Sequence, residues 1–187
     1  MNFLFRSTLN FVLSVALLCI IVCSCNNSKT SETGDADGRL KQREVIHDLE
    51  SKMKVSPSLN NSLARTAVQQ YFSYAAAYPD DSLTADYLFK GGQIATAVGD
   101  YQGALHAYEK ITTAYPAFPY VRESLYLQGF LLDNYINDDA KAKVVYEKFL
   151  ATYTSGPYIE DAKAAIANLG KSDEELMKEF KAMNEKK

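Results

Sequence analysis

The 187-residue sequence predicts an all-α fold, a helix-pair solenoid capped at both ends. The first observation is the stretch from Gly92 to Pro116. It reads as the end of one helix, a tight turn at Gly99-Asp100, and a second helix closed by Tyr115-Pro116. The second is that this frame recurs. Ala67, Tyr71, Tyr78 and Pro79 keep the spacing of Ala104, Tyr108, Tyr115 and Pro116. Ala142, Tyr146 and Tyr153 repeat it, with Thr154 in the place of proline. Tyr78, Tyr115 and Tyr153 are 37 and 38 residues apart, a period that belongs to stacked helix pairs. The third is composition. Only 5 prolines and 9 glycines fit a helical chain better than a turn-rich β one, and 47% hydrophobic residues can build a sizeable core. The net charge of −3 directs the chain to neither nucleic acid nor an anionic surface.

The start of the chain reads as targeting. Residues 11–23, FVLSVALLCIIVC, form an apolar run broken only by Ser14, the length of a signal-peptide core and too short to span a bilayer. All three cysteines, Cys19, Cys23 and Cys25, lie there, so none can build a disulfide or zinc site in the repeats. Ser24 before Cys25, after an apolar run and before Asn26-Asn27, resembles the lipobox of bacterial lipoproteins. The resemblance implies a signal peptide over 1–24 and lipidation at Cys25. Cys23 follows bulky Ile21 and Val22 and is the weaker match; a plain secretory signal is the alternative. Acyl chains would make the only membrane contact. Asn26, rather than Asp, after the cysteine implies the outer membrane, facing the periplasm. Residues 25–38 carry the anchor and a polar stretch that reads as a flexible tether of roughly 20 Å. Asp35, Asp37, Gly38 and Glu44 also fall at calcium-loop positions, but an acidic run entering a helix accounts for them equally.

The helical domain occupies 39–187. Residues 39–54 place Ile46, Leu49 and Met53 on one face and read as an N-terminal cap. Ser56-Pro57 and Asn60-Asn61 break the chain. Residues 61–78 carry Ala64, Ala67, Val68, Tyr71, Ala75 and Tyr78 as a helical stripe, and Asp81 or Ser82 offers the next N-cap. Helix 83–98 places Tyr87, Leu88, Gly91, Ile94, Ala95 and Val98 on one face. Gly91-Gly92 costs roughly 1 kcal/mol per glycine in a helix interior, which implies close approach of a neighbour. Helix 101–115 buries Tyr101, Ala104, Leu105, Tyr108 and Ile111. Helices 119–136 and 139–153 follow, with Leu125, Gly129 and Leu132 in the first and Ala142, Val145, Tyr146, Phe149 and Leu150 in the second. Helix 158–169 ends at Leu169-Gly170. Ser172 and Glu175 form a capping box for the last helix, whose apolar face is Leu176, Phe180 and Met183. Its charged outer face is what a terminal cap needs.

These residues resemble tetratricopeptide repeats over 61–170. That family places a glycine in the first helix, an alanine and then an aromatic in the second, and a closing proline. Gly92, Ala104, Tyr108 and Pro116 match in one repeat, and Gly129, Ala142 and Tyr146 in the next if the loop at Asn137-Asp138 takes one extra residue. Ala67, Tyr71 and Pro79 match a preceding half unit, and Ile166, Leu169 and Gly170 a following one. The long repeat and Tyr-Pro ending are similar to the periplasmic repeats of the outer-membrane β-barrel assembly lipoprotein and of the Tol-Pal coordinator protein. The resemblance implies a concave groove lined by Asp86, Phe89, Gln93 and Thr96, then Glu123, Tyr126, Phe130, Asp133 and Asn134. Phe89, Tyr126 and Phe130 lie off the main stripes and would suit a peptide or partner helix, unless a capping helix covers them.

The sequence carries no nucleophile elbow, phosphate loop or paired histidines, so neither catalysis, cofactor nor metal is expected. His47 and His106 sit on separate helices, and His106 reads as solvent-facing. Asp80-Asp81 and Asp138-Asp139 fall at turns, where capping explains them. The expected function is a lipid-anchored envelope scaffold that binds a protein or peptide partner in outer-membrane or envelope assembly. The alternative is a self-associating accessory subunit without a groove.

Overall fold

The structure is a computed structural model that describes residues 30–55 and 61–184. Over those residues it is all-helical, with no strand. The apolar run 11–23, Cys25 and the break at Ser56-Pro57 and Asn60 lie outside the described residues. The chain divides into two units between Arg43 and Glu44.

In the first unit, residues 30–43 are the opening turns of helix α1, Thr30–Val55. The sequence suggested a tether as far as Gly38, but the backbone is helical from Thr30 onward. Lys52 and Lys54 in its last turn offset the helix macrodipole. Continuous helix across 33–44 also differs from the looped backbone that a calcium loop needs.

In the second unit, the remainder of α1 caps the helices that follow. These are α2 (Asn61–Ala77), α3 (Thr84–Ala97), α4 (Tyr101–Ala114), α5 (Val121–Leu131), α6 (Asp139–Thr152), α7 (Ile159–Asn168) and α8 (Asp173–Asn184). From α2 to α7 each helix packs chiefly on its neighbours in sequence. Ile46 and Leu49 of α1 bury against Ala67, Tyr71 and Tyr74 of α2 and Tyr87 of α3. Glu50 accepts from the Tyr71 hydroxyl at 2.8 Å and from Lys90 at 3.1 Å, which fixes the cap. Burial raises the Glu50 carboxyl, but these two donors outweigh it and hold the group below its ordinary value.

The Gly91-Gly92 pair lets α3 lie between two helices. A Cβ on Gly91 would come within 2.6 Å of the Phe72 ring on α2, and one on Gly92 within 2.8 Å of the Tyr108 ring on α4. The next repeat reproduces the second contact, since a Cβ on Gly129 would come within 2.6 Å of the Tyr146 ring. Of the ten residues expected to pack the repeats, Ala67, Tyr71, Gly92, Ala104, Tyr108, Gly129, Ala142 and Tyr146 are buried. Pro79 and Pro116 are exposed in the turns, and their role is to end helices.

The turns follow their side chains. Gly99 takes φ +80°, and Asp100 then caps α4 by accepting from the Gly103 amide at 3.1 Å. Asp138 caps α6 through the Lys141 amide at the same distance. At α3 the expectation was only half right. Asp81 accepts from the Leu83 amide at 2.9 Å, so it shapes the turn, while the N-cap itself is Leu83 and has no side-chain bond. The extra residue of the second repeat is not a loop insertion. Asp100 donates its amide to Ala95 O, and the equivalent Asp138 donates to Leu132 O, one residue further back. The residue is absorbed by a π-helical turn, Leu132–Ile136, that extends α5 and ends at Asn137 with φ +57°.

Ser172 and Glu175 form the expected capping box, each side chain accepting from the other's amide, at 2.8 and 3.3 Å. Leu176 is half-buried and Met177 exposed; the side chains of Phe180 and Met183 lie outside the described set.

Gly129→Ala places a methyl against the fully buried Tyr146 ring. Overpacking of this kind costs about 1–3 kcal/mol, partly offset by up to about 1 kcal/mol of helix propensity. The expected result is a net loss of stability, measured as a lower urea midpoint of helix unfolding. An unchanged midpoint would show that α5 and α6 are not held by this contact.

Candidate functional site

The residues expected to line one groove divide into two groups. In the first repeat, Asp86 is half-buried and paired to Lys90 at 2.9 Å. Thr96 donates its hydroxyl to Gly92 O at 2.9 Å, and Gln93 is exposed. Phe89 is a core residue, 6% exposed, and is not available to a partner. It was read as lying off the buried stripe, but the turn before α5 folds over it. Tyr120 stacks on its ring at 4.8 Å with planes 11° apart, and Phe118 meets it edge-on at 6.0 Å. The sequence pattern along α3 could not reveal a lid supplied from the next turn.

The second group comes together except for Glu123, which faces the Tyr158 hydroxyl and does not line the cleft. Tyr126, Phe130, Asp133 and Asn134 of α5 and its π turn line a cleft of about 750 Å³ with Asp139 and Tyr146 of α6. The far wall is Asp161, Ala164, Ala165 and Asn168 of α7, closed by Lys171, Ser172 and Leu176 at the start of α8. Each α5 residue is there because α5 turns one face to Tyr146 and Phe149 and leaves the adjoining face towards α7. Tyr126 contacts both rings, at 5.9 and 5.8 Å, and stacks on Tyr158 at 4.5 Å. Phe130 meets the exposed ring of Tyr135 edge-on at 5.8 Å.

The α7 and α8 residues were missed, although a signal was present. Asp86 and Glu123 are 37 apart, and Asp161 follows Glu123 by 38. Continuing the same step from Tyr126, Phe130, Asp133 and Asn134 reaches Ala164, Asn168, Lys171 and Ser172, all of which line the cleft. The groove register therefore runs one unit further than the expected set. Asn137 and Asp139 had no such signal, because they enter through the π turn.

Two non-glycine residues with positive φ border this region. Asn137 tolerates φ +57° readily, whereas Tyr158, at +66°, is held there at the N-cap of α7. Its ring then lies flat on Tyr126. Burial raises the Tyr158 hydroxyl above its ordinary value, and Glu123, by its charge and by accepting the proton, raises it further.

Charge in the cleft is uneven. Burial, then the negative charge of Asp139, raises the Asp133 carboxyl, and the Tyr146 hydroxyl 3.4 Å away offsets only part of this. Tyr146 itself is pushed well above the usual phenol range by burial and by Asp133. No group of three or more histidine, cysteine or carboxylate residues among the described residues is arranged to hold a metal. No helix among them is long and apolar enough to cross a membrane. Comparison with family models, curated proteins and solved structures found no match for this chain.

Two outcomes follow. Phe89→Ala, a large-to-small change in the core, should cost about 3 kcal/mol of stability, and Phe130→Ala clearly less, by chemical denaturation. Equal losses would mean that the two rings are equally buried. The second concerns Asp133. A carboxyl whose folded pKa is raised weakens folding as pH rises through the carboxylate range, since the unfolded chain then holds fewer protons. Asp133→Asn should therefore raise the urea midpoint slightly at pH 7 and lose that advantage at about pH 3. A lower midpoint at pH 7 would contradict the sign.

Proposed function

We propose that this protein is a lipid-anchored scaffold of the cell envelope, built as a tetratricopeptide-like solenoid, that holds a protein or peptide partner in the α5–α7 cleft. The observation that carries the reading is the convergence on one open cleft of groove positions from two successive units. Tyr126 and Phe130 offer aromatic faces, and Asp133, Asn134 and Asn168 offer polar edges, the mixture that binds peptides. The repeat reading is supported by the recurring glycine–tyrosine contacts and aspartate caps and by packing in chain order. Phe89 leaves the binding surface under this reading, and Asp86, Gln93 and Thr96 flank it.

The anchor rests on the apolar run, Ser24 and Cys25. Cleavage before Cys25 and acylation of its thiol would hold the helical unit at the membrane surface, with the outer membrane favoured by Asn26.

The full-length chain, expressed in a Gram-negative host and crosslinked in intact envelopes, should capture a different protein. Self-crosslinks alone would replace the scaffold with a self-associating subunit. Cys25→Ala should move the protein from the membrane to the soluble fraction, and retention on membranes would refute lipidation at that position.

A further inference from the structure

We propose that the α5–α7 cleft selects a cationic segment, a lysine or arginine side chain on an extended peptide, held between carboxylates over the rings of Tyr126 and Phe130. This rests on the scaffold reading and specifies its ligand chemistry.

The first repeat already contains such an arrangement, made within the chain. Lys90 lies between Asp86 Oδ2 at 2.9 Å and Glu50 Oε1 at 3.1 Å, with its Nζ 5.7 Å from the Tyr87 ring centroid. One period on, the position of Lys90 is Leu127. The acid recurs as Glu123, but Ser124 stands at the position of Tyr87 and that lysine is absent; the acids of the cleft come instead from the π turn, α6 and α7. Asp133, Asp139 and Asp161 line the cleft, and none of them forms an ion pair with a described residue. Lys171 is the basic residue among the lining side chains, set against three acids.

The cavity adds shape to this charge. Its volume, about 750 Å³, accommodates a few residues of extended chain. Tyr126 and Phe130, both partly exposed, supply ring faces, and a cation over such a face gains about 0.5–2 kcal/mol. Burial raises the Asp133 carboxyl and the charge of Asp139 raises it further, which agrees with negative charge gathered in the cleft. An acidic segment would be repelled by three carboxylates. A purely apolar helix would strip water from them without replacing it, which is costly. A basic side chain satisfies both the acids and the rings.

The test uses the purified full-length chain in detergent and a fluorescein-labelled peptide, Gly-Lys-Leu-Lys-Gly, with Gly-Glu-Leu-Glu-Gly as control, read by anisotropy. The basic peptide should bind and the acidic one should not, and binding should weaken as salt rises, because the cleft is open and screened. The triple variant Asp133→Asn, Asp139→Asn, Asp161→Asn should weaken binding at least tenfold while helicity by circular dichroism is unchanged. No binding of the basic peptide up to about 1 mM, equal binding of the acidic peptide, or salt-independent binding would each overturn the proposal without any variant. Undiminished affinity in the triple variant would overturn it as well. Heterologous crosslinks that persist in that variant would reject the cationic ligand and leave the scaffold standing, whereas self-crosslinks alone in the wild type would remove the scaffold.

Discussion

The fold depends on the approach of a tyrosine ring to a helix that has no side chain at the point of contact. Tyr108 lies on Gly92 and Tyr146 on Gly129, at distances that any Cβ would obstruct. Each glycine weakens its own helix by about 1 kcal/mol. The return is a large aromatic ring, fully buried, that joins two helices and still carries a hydroxyl. Because each α3- or α5-type helix touches the helix before and the helix after, the contact propagates along the chain. Gln128 strengthens it by donating to the Tyr108 carbonyl and to Thr112, both at 3.0 Å, so α5 is tied to α4 by a buried polar group with its partners satisfied.

Polar contacts between successive units set their spacing. The Tyr115 hydroxyl donates to Pro79 O at 2.7 Å, and Arg65 donates to Val98 O, where α3 leaves a carbonyl unpaired. Arg122 reaches Ser155 O and lies over the Tyr153 ring. Tyr115 thus acts through both ends, its ring packed against the core and its hydroxyl at a turn. The 37- and 38-residue period carries an acid, Asp86, Glu123 and Asp161, each with different surroundings. Asp86 has Lys90, Glu123 has the Tyr158 hydroxyl, and Asp161 opens on the cleft. A repeated position therefore changes from structural to available along the chain as its neighbours change.

Most of the helices were legible because their signals are local. Apolar stripes, the Gly99-Asp100 turn, the Asp138 cap and the Ser172/Glu175 box act within a few residues. Apart from the start of α1, which lies nine residues earlier than expected, the helix ends agree with expectation to within two residues once the π turn is counted with α5. Asp81 failed as an N-cap for a local reason too, since its carboxylate turned to the Leu83 amide two residues on. The candidate site was half legible. Tyr126, Phe130, Asp133 and Asn134 follow from the repeat register, as Asp161, Ala164, Asn168 and Lys171 would have done had the register been continued.

The sequence alone determined the helical class, the order of the helices, most of their ends and the close approach of a neighbouring helix at Gly91-Gly92, because periodicity, caps and small residues act locally or at a constant step. Tertiary structure decided which faces remain open. Phe89 and Tyr126 occupy the same repeat position, yet Phe118 and Tyr120 cover one while the other borders a cleft. It also decided that the extra residue would widen the last turn of α5, which brings Asn137 and Asp139 to that cleft. Burial is a property of what packs on a residue from elsewhere in the chain, and no spacing within one helix contains it.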